Sequence, residues 1–340
     1  MKNACIIGFA AIAPVHADAL ERCENARLYA ICDTDKARLD TAVNKYSVIP
    51  YTDYTEMLQN PDIDTVHICT PHYLHKEMAV NAMLAGKDVV LEKPAAMNSD
   101  ELNELVAVQK STGKHICLML QNRTNSGIVR MKELTSSGEL GDMTGIFGSL
   151  TWDRNAQYYQ SSPWRGRYDT EGGSLLINQA VHLLDLFGYF GGGIKSVRAI
   201  TTAMRLDGVI ETEDTACSVI NLCNGVRGCF YATNTYTTDE PFRLEIRFEN
   251  ALLRYADARL YKITDENTEI LAKDAVLRNG KKYWGAGHYS VIKQFYNFLE
   301  NGGSYISLDS GLNTMNALFA LYESSNMTRA KTVKLVSDPN

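Results

Sequence analysis

Two short stretches carry side chains suited to moving a proton beside a hydride: "EKP" at Glu92–Pro94 and "NQAVH" at Asn178–His182. Oxidising a secondary alcohol requires the hydroxyl proton to leave as hydride departs from the same carbon. Histidine, which ordinarily titrates near neutrality, is the commonest base for that step. A lysine ammonium beside the same oxygen stabilises the developing alkoxide and, in reverse, polarises the carbonyl. On a helix through "NQAVH", Asn178 and His182 are four residues apart and share a face. Lys93 follows the apolar run "DVVL" and would arrive at the carboxyl edge of a sheet, where alternating strand–helix folds bind ligands. The expected catalytic set is therefore Lys93, His182 and Asn178. The Asn178 amide, which can donate and accept but cannot hold charge, would position a substrate hydroxyl. Spacing alone also permits a core histidine and a surface lysine.

Hydride chemistry needs a carrier, and the first strand runs into "IIGFAAIAPVH". A dinucleotide loop normally reads Gly-x-Gly-x-x-Gly. Gly8 is present, but Ala10 and Ala13 stand where the second and third glycines would be. Alanine is accepted at the third position. At the second it adds one methyl group facing the phosphates. Asp33, 20 residues beyond Ala13, ends the second strand, "YAICD", where a carboxylate can accept both ribose hydroxyls of an adenosine and repel a 2′-phosphate. The expected cofactor is NAD in preference to NADP, on Gly8, Phe9, Ala10, Ile12, Ala13 and Asp33. Asp33 could alternatively cap the helix "TDKARL".

The elements positioning these residues fall into two segments. Through residue 121, apolar strands alternate with helices ("NACIIGF", "RLYAICD", "TVHICTP", "DVVLEKP", "HICLML"), as in a doubly wound parallel sheet buried on both faces. Ser99 stands as the N-cap of the helix "SDELNEL". From 122 to 340 the pattern changes to period-two strands with short turns, from "ACSVINLC" to "RLYKITDE". These predict a large, open, mostly antiparallel sheet in an α+β domain. The helices "SLLINQAVHLLDLFGYF", "HYSVIKQFYNFLE" and "LDSGLNTMNALFALYESS" would cover one side, and the last of them can pack back on the first domain.

Three stretches, "TPHYLHKEMAVNAMLAGKDVVLEKP", "SSPWRGRYDT" and "EGGSLLINQAVHLLDL", occur in this order after the opening loop. Together they resemble the Gfo/Idh/MocA family of oxidoreductases, over essentially the full chain. The resemblance implies a Rossmann domain followed by an α/β domain whose open sheet often mediates association. It also implies hydride transfer between nicotinamide and a hydroxyl-bearing ring carbon of a sugar or cyclitol. By position, Lys93 and His182 match the family's active-site lysine and histidine, and Glu92 and Pro94 shape the turn holding Lys93, with a peptide that is often cis in relatives. Thr70, Pro71 and His75 match a turn passing near the nicotinamide ribose, where His72 replaces a common asparagine. Asn178 replaces a common aspartate. Gln121 to Arg123 and Trp164 to Arg167 occupy places where relatives line the cleft. Gln121, Trp164 and Arg165 are expected at the cofactor, and Arg123, Tyr158, Trp164 and Arg165 at the substrate. An ordinary surface loop is the alternative for "WRGR".

The net charge of −6 argues against a nucleic-acid or anionic-membrane partner, and no run approaches the ~18 apolar residues of a membrane span. The start, "MKNACIIGFA", enters a strand without a cleavable leader, which points to the cytoplasm. The eight cysteines lack metal-ligand spacing and are expected to be reduced core residues. No metal is expected. The expected partners are a carbohydrate or cyclitol substrate and a second copy of the chain, as a homodimer or homotetramer through the open sheet. Two other functions fit the same residues: an enzyme that retains and recycles NAD through oxidation, elimination or epimerisation, and reduction; or a non-catalytic NAD-binding regulator.

Overall fold

The structure is a computed structural model that describes residues 1–275 and 286–327; the segment 276–285 and the end of the second expected domain, 328–340, lie outside the described residues. Six strands form the first sheet: β1 (Lys2–Ile7), β2 (Ala26–Cys32), β3 (Ile49–Tyr51), β4 (Thr65–Ile68), β5 (Asp88–Leu91) and β6 (Ile116–Leu118). Their order is β3-β2-β1-β4-β5-β6, all parallel. Both faces are buried, which is why these strands read as unbroken apolar runs. The order reverses between β1 and β4, so a crevice opens there at the carboxyl ends of the strands. Gly8, Thr70 and Lys93 follow β1, β4 and β5 at that edge.

Around this sheet lie α1 (Ala13–Leu20), α2 (Lys36–Tyr46), α3 (Tyr54–Leu58), α4 (His72–Leu84) and α5 (Ser99–Thr112). The N-cap of α5 is Asn98 rather than Ser99: its side chain accepts the Glu101 N–H at 2.9 Å, one residue earlier than expected. α2 is capped by Asp35, which leaves Asp33 outside the cap.

The second sheet has eight strands, ordered β14-β13-β12-β11-β7-β10-β9-β8. These are β7 (Met143–Thr151), β8 (Ile194–Thr202), β9 (Thr215–Leu222), β10 (Arg227–Thr233), β11 (Arg243–Phe248), β12 (Leu252–Ala256), β13 (Arg259–Ile263) and β14 (Thr268–Lys273). Every neighbouring pair is antiparallel except β7 and β10, which run parallel because a long crossover separates them in the chain. One face is covered by α6 (Ser126–Ser137), α8 (Val181–Gly191) and α10 (Leu308–Met327); α10 also reaches β6 and α5 of the first layer. The helix expected over this sheet at "HYSVIKQFYNFLE", α9 (Gly287–Asn301), instead packs against α1. Its buried stripe of Val291, Ile292, Phe295 and Tyr296 faces the first domain, where the Tyr296 hydroxyl meets Thr65 Oγ1 at 2.6 Å and His67 Nε2 at 2.9 Å.

The opposite face of the large sheet is open and exposes Phe147, Ile200, Val219 and Tyr231. Five cysteines are buried as expected, whereas Cys217, Cys223 and Cys229 are exposed. The strand alternation that buries Ala216 and Phe230 turns Cys217 and Cys229 outward. All eight thiols are free.

Candidate active site

The opening loop is built as a dinucleotide loop in the positions that matter. Gly8 has φ +82°, and a Cβ there would lie 2.9 Å from Thr70 Cγ2 and 3.0 Å from the Cys69 carbonyl oxygen, so glycine is required. Ala10 is exposed at the mouth, where its methyl group crowds nothing in the sheet, and Ala13 is fully buried where the helix meets the strand. α1 starts with no side-chain cap; in its first turn Pro14 has no N–H and the Val15 N–H donates to the Ile12 carbonyl at 3.0 Å, which leaves the Ala13 N–H to face the loop. Asp33 closes the loop: its carboxylate accepts the Phe9 N–H at 2.6 Å and the Asp35 N–H at 2.7 Å. Phe9 thus contributes its backbone, while its ring packs edge-on against Tyr46. Arg38 stands 3.5 Å from Asp33, a cation at the ribose end that no spacing rule had singled out.

From this loop a cleft of about 1040 Å³ runs along the carboxyl edge of the first sheet to the second. That exceeds an ordinary small-ligand pocket and has room for a dinucleotide with a second molecule beside it. Gly8, Ala10, Ile12, Asp33, Thr70 and Pro71 line one half; Lys93, Asn178, His182, Gln121, Trp164 and Arg165 converge in the middle. Tyr158 lines the far end with Trp152, Arg154 and Phe242, which sequence reasoning missed because they come from separate strand ends without a motif. Rings and guanidinium groups alternate along this wall. Arg154 lies 4.7 Å from the Trp152 ring centre and 5.2 Å from that of Tyr158; Arg165 lies 4.3 Å from Tyr158 and 5.5 Å from Trp164.

Lys93 sits in a tight turn with a cis peptide to Pro94. His75 pins that turn, one ring nitrogen facing the Pro94 carbonyl at 2.7 Å and the other the Thr70 carbonyl at 2.8 Å. Glu92 lines the cleft beside Lys93, and its carboxylate meets a buried group of histidines, 3.0 Å from His16 Nε2 and 3.7 Å from His288 Nε2. Burial opposes that charge, but the hydrogen bond and charge of His16, then His288 and Lys93, overcome it and hold the carboxyl at about 2. His72, at the start of α4, places Nδ1 2.9 Å from the Glu171 carbonyl and its ring 4.9 Å from Trp164. It therefore fastens the Trp164 loop to the first domain.

Asn178 and His182 do not stand on one regular helix. Leu175–Ala180 form a π-helical turn and α8 begins only at Val181. The wider turn sends the two side chains to different partners while both still line the cleft. Lys93 Nζ donates to Asn178 Oδ1 at 3.1 Å and to its backbone oxygen at 3.0 Å. His182 Nε2 lies 3.2 Å from Gln121 Nε2, and its buried Nδ1 has no protein partner. Burial first, then the charge of Lys93, lowers the His182 pKa to about 3, so the imidazole is neutral. Burial likewise lowers Lys93, against the charges of Glu92 and Glu171.

Arg123 is not in the cleft. Its guanidinium grips Asp185 on α8 through two bonds, 2.6 and 2.8 Å, and reaches the Ser310 carbonyl at 3.0 Å. Arg167 is a surface residue paired with Asp169 and Glu211, and buried Tyr159 accepts from Asn234 Nδ2 at 2.9 Å. Four buried polar atoms without a protein partner, Thr70 Oγ1, Gln121 Oε1, Arg165 Nε and His182 Nδ1, belong to residues of the cleft wall. This set, with the Gly8–Asp33 loop, fits a nicotinamide dinucleotide. Among the described residues no cluster of three metal-ligating side chains occurs, and no helix is long and apolar enough to cross a membrane.

Comparison with known proteins gives the same frame. The trans-1,2-dihydrobenzene-1,2-diol dehydrogenase of Oryctolagus cuniculus is 25% identical over 213 residues, 62% of either chain. The levoglucosan dehydrogenase of Pseudarthrobacter phenanthrenivorans is 23% identical over 261 residues, 70% of this chain and 66% of that protein. The first curated relatives are thus spanned over 61% to 66% of their own length. The crystal structure of the WlbA dehydrogenase from Chromobacterium violaceum, in complex with NADH and UDP-GlcNAcA, superposes with a TM-score of 0.85 at 26% identity, over 99% of this chain and 97% of that one. Residues 2–119 match the oxidoreductase family model with an NAD-binding Rossmann fold, and residues 128–254 match the Gfo/Idh/MocA C-terminal domain. With both domains matched in order, the chain belongs to the Gfo/Idh/MocA family of oxidoreductases.

Proposed function

We propose that this protein is an NAD-dependent dehydrogenase acting on a secondary alcohol of a sugar, glycoside or cyclitol. The observation that carries this reading is the meeting of Lys93 Nζ, Asn178 and the unpartnered His182 Nδ1 in one cleft with the Gly8–Asp33 loop. Nicotinamide bound there supplies the hydride acceptor. The Lys93 ammonium would hold the substrate oxygen and stabilise its alkoxide, and neutral His182 would take the hydroxyl proton. The charge of Lys93 adds to burial in depressing His182, so the imidazole beside the ammonium stays neutral. The aromatic wall of Trp152, Tyr158, Trp164 and Phe242 suits the apolar face of a ring substrate, and relatives are named for levoglucosan and a dihydrodiol. Asp33 supports NAD over NADP, since its carboxylate faces the place a 2′-phosphate would occupy. The apolar open face of the large sheet supports self-association; light scattering that finds only monomer would refute that part.

The test mixes stoichiometric protein with NAD and a panel of sugars, glycosides, sugar phosphates and cyclitols, and follows the reduced-nicotinamide absorbance. One compound should raise it, and Lys93→Ala and His182→Ala should each abolish the rise. Free NADH accumulating over many turnovers separates simple dehydrogenation from a retained, recycled cofactor. Silence across the panel with NAD bound would count against a dehydrogenase.

A further inference from the structure

Glu171 is a fully buried carboxyl that the chemistry above does not use. It is absent from the cleft wall, yet it is joined to the active-site lysine by a single side chain. Its Oε1 accepts from Asn178 Nδ2 at 2.6 Å, and its Oε2 accepts the Gly166 N–H at 2.6 Å. The other end of the same amide, Asn178 Oδ1, accepts from Lys93 Nζ at 3.1 Å. An ionised carboxylate can only accept, so Glu171 forces the Asn178 amide to present nitrogen toward itself and oxygen toward Lys93. The Lys93 ammonium, which can only donate, sets the same orientation from the other side. Among the described residues no salt bridge joins a cation to Glu171, and its two hydrogen bonds come from neutral groups, the Gly166 N–H and the Asn178 amide.

We propose that Glu171 is a positioning residue that supplies, through Asn178, the negative charge the active site lacks at position 178, fixing the Lys93 ammonium and strengthening its hold on its proton. The π-helical turn is what makes this possible, because it directs Asn178 toward both Lys93 and Glu171 while His182 faces Gln121. The groups facing Glu171 are Lys93 after β5, His72 at the start of α4, Tyr159 on α7 (Ala156–Gln160), Arg165 in the following loop, Glu213 before β9 and Tyr322 on α10. Burial pushes the Glu171 carboxyl up to about 7, against the bonds from Gly166 and Asn178, with Glu213 adding to the rise. The charge it lends to Lys93 is therefore present above neutrality and lost below it.

This inference rests on Lys93 being the active-site lysine, and its test does not require the substrate. The pH dependence of Lys93 acylation by acetic anhydride, read by peptide mass spectrometry on the full chain, reports how firmly the amine holds its proton. Two hydrogen bonds, 2.6 and 3.1 Å, and one amide separate the carboxylate from the amine, and a charge at that remove through a partly buried path should shift the equilibrium roughly tenfold. Glu171→Gln should therefore lower the midpoint by about one pH unit. The double variant Glu171→Gln/Asn178→Asp, which moves the carboxylate into contact with Lys93, should return the midpoint to the wild-type value or above it. An unchanged midpoint in Glu171→Gln overturns the proposal, and so does a lowered one in the double variant, which decides the matter if the single variant does not fold. With a turnover substrate in hand, Glu171→Gln should also lose roughly tenfold in kcat/KM and the rising limb near pH 7, with KM for NAD little changed. A uniform loss at every pH would mean a merely structural role. Failure of the substrate panel would refute the dehydrogenase reading and leave the Lys93 titration to judge this one.

Discussion

Arg123 and Arg165 both fall in stretches that resemble cleft-lining segments, and the structure separates them. Arg123 binds Asp185 through two short bonds, and the Asp185 side chain is only 1% exposed. Arg123→Met would leave that carboxylate with the Thr314 hydroxyl, 2.7 Å away, as its remaining side-chain donor. Breaking one half of a buried ion pair costs about 3–5 kcal/mol. For a chain of 340 residues, with an unfolding entropy of about 2.1 cal/mol/K per residue, that lowers Tm by about 4–7 °C. Removing both partners, in Arg123→Met/Asp185→Leu, should recover much of the loss, because no uncompensated charge remains. Arg165 has the opposite profile. Its buried Nε has no partner, and its side-chain bonds, to Tyr158 O at 3.3 Å and Ser161 Oγ at 3.1 Å, are to neutral groups. Arg165→Met should leave Tm within about 2 °C but raise KM for NAD or for the second substrate roughly tenfold, the worth of one charge-assisted hydrogen bond. Thermal melts and steady-state kinetics on the same preparations check both. If Arg123→Met raised KM while leaving Tm unchanged, the assignment of Arg123 to the scaffold would be wrong.

Other perturbations follow from the same geometry. Asp33→Ser should reduce kcat/KM with NAD roughly tenfold and improve it with NADP, since Arg38 would then face the 2′-phosphate alone; unchanged cofactor preference would remove Asp33 from the adenosine site. Gly173→Ala would place a Cβ 2.0 Å from the Tyr322 hydroxyl at a φ of +148°, breaking the Tyr322–Glu213 bond. It should lower Tm by several degrees, and a wild-type melt would contradict the packing there. Burial depresses His288 to about 4 and His182 to about 3, below their ordinary 6.5. Between pH 6.5 and 4 the unfolded chain binds protons that the folded chain cannot, so stability is full above 6.5 and falls as pH drops toward 4. Glu92, held at about 2 against an ordinary 4.5, adds a second loss from pH 4.5 downward. His288→Gln should flatten the first decline by up to about 3 kcal/mol in melts recorded against pH, and an unaltered slope would mean that His288 is charged in the folded protein.

How much of this was legible in the sequence depended on the range over which each feature is decided. The parallel sheet, the open sheet and the places of Lys93 and Asp33 follow from local patterns: apolar runs, period-two strands, a lysine just after a strand, and an acidic residue 20 positions beyond Ala13. Arg123 misled because its neighbours in sequence resemble a cleft segment, whereas its fate was decided by Asp185 and Ser310, 62 and 187 residues away. Helix α9 misled for the same reason: its apolar stripe was readable, but the surface it covers was not. Trp152 and Arg154 come beside Phe242 because β7 pairs with β11, across 90 residues of chain (152 to 242) that no local pattern connects.

Position 178 shows the limit most sharply. From sequence, asparagine there reads as the loss of a charge. In the folded chain a one-turn change of helix type brings a carboxyl seven residues upstream within 2.6 Å of the asparagine amide. Neither the π turn nor the burial that raises Glu171 is encoded in a spacing rule. The first depends on Ser174 being anchored to Glu213 through the Glu213 carbonyl, 2.5 Å from Ser174 Oγ, and the second on the wall that Gly173 allows Tyr322 to build. A substitution that looks like subtraction along the chain can therefore be compensation across it. On the proposal above, the charge sits not on a residue that would touch the substrate but on one behind it, held by Asn178 and the Gly166 N–H. A group shielded from substrate can keep a pKa near neutrality without being neutralised by each new ligand, which a carboxylate at position 178 beside the Lys93 ammonium could not do.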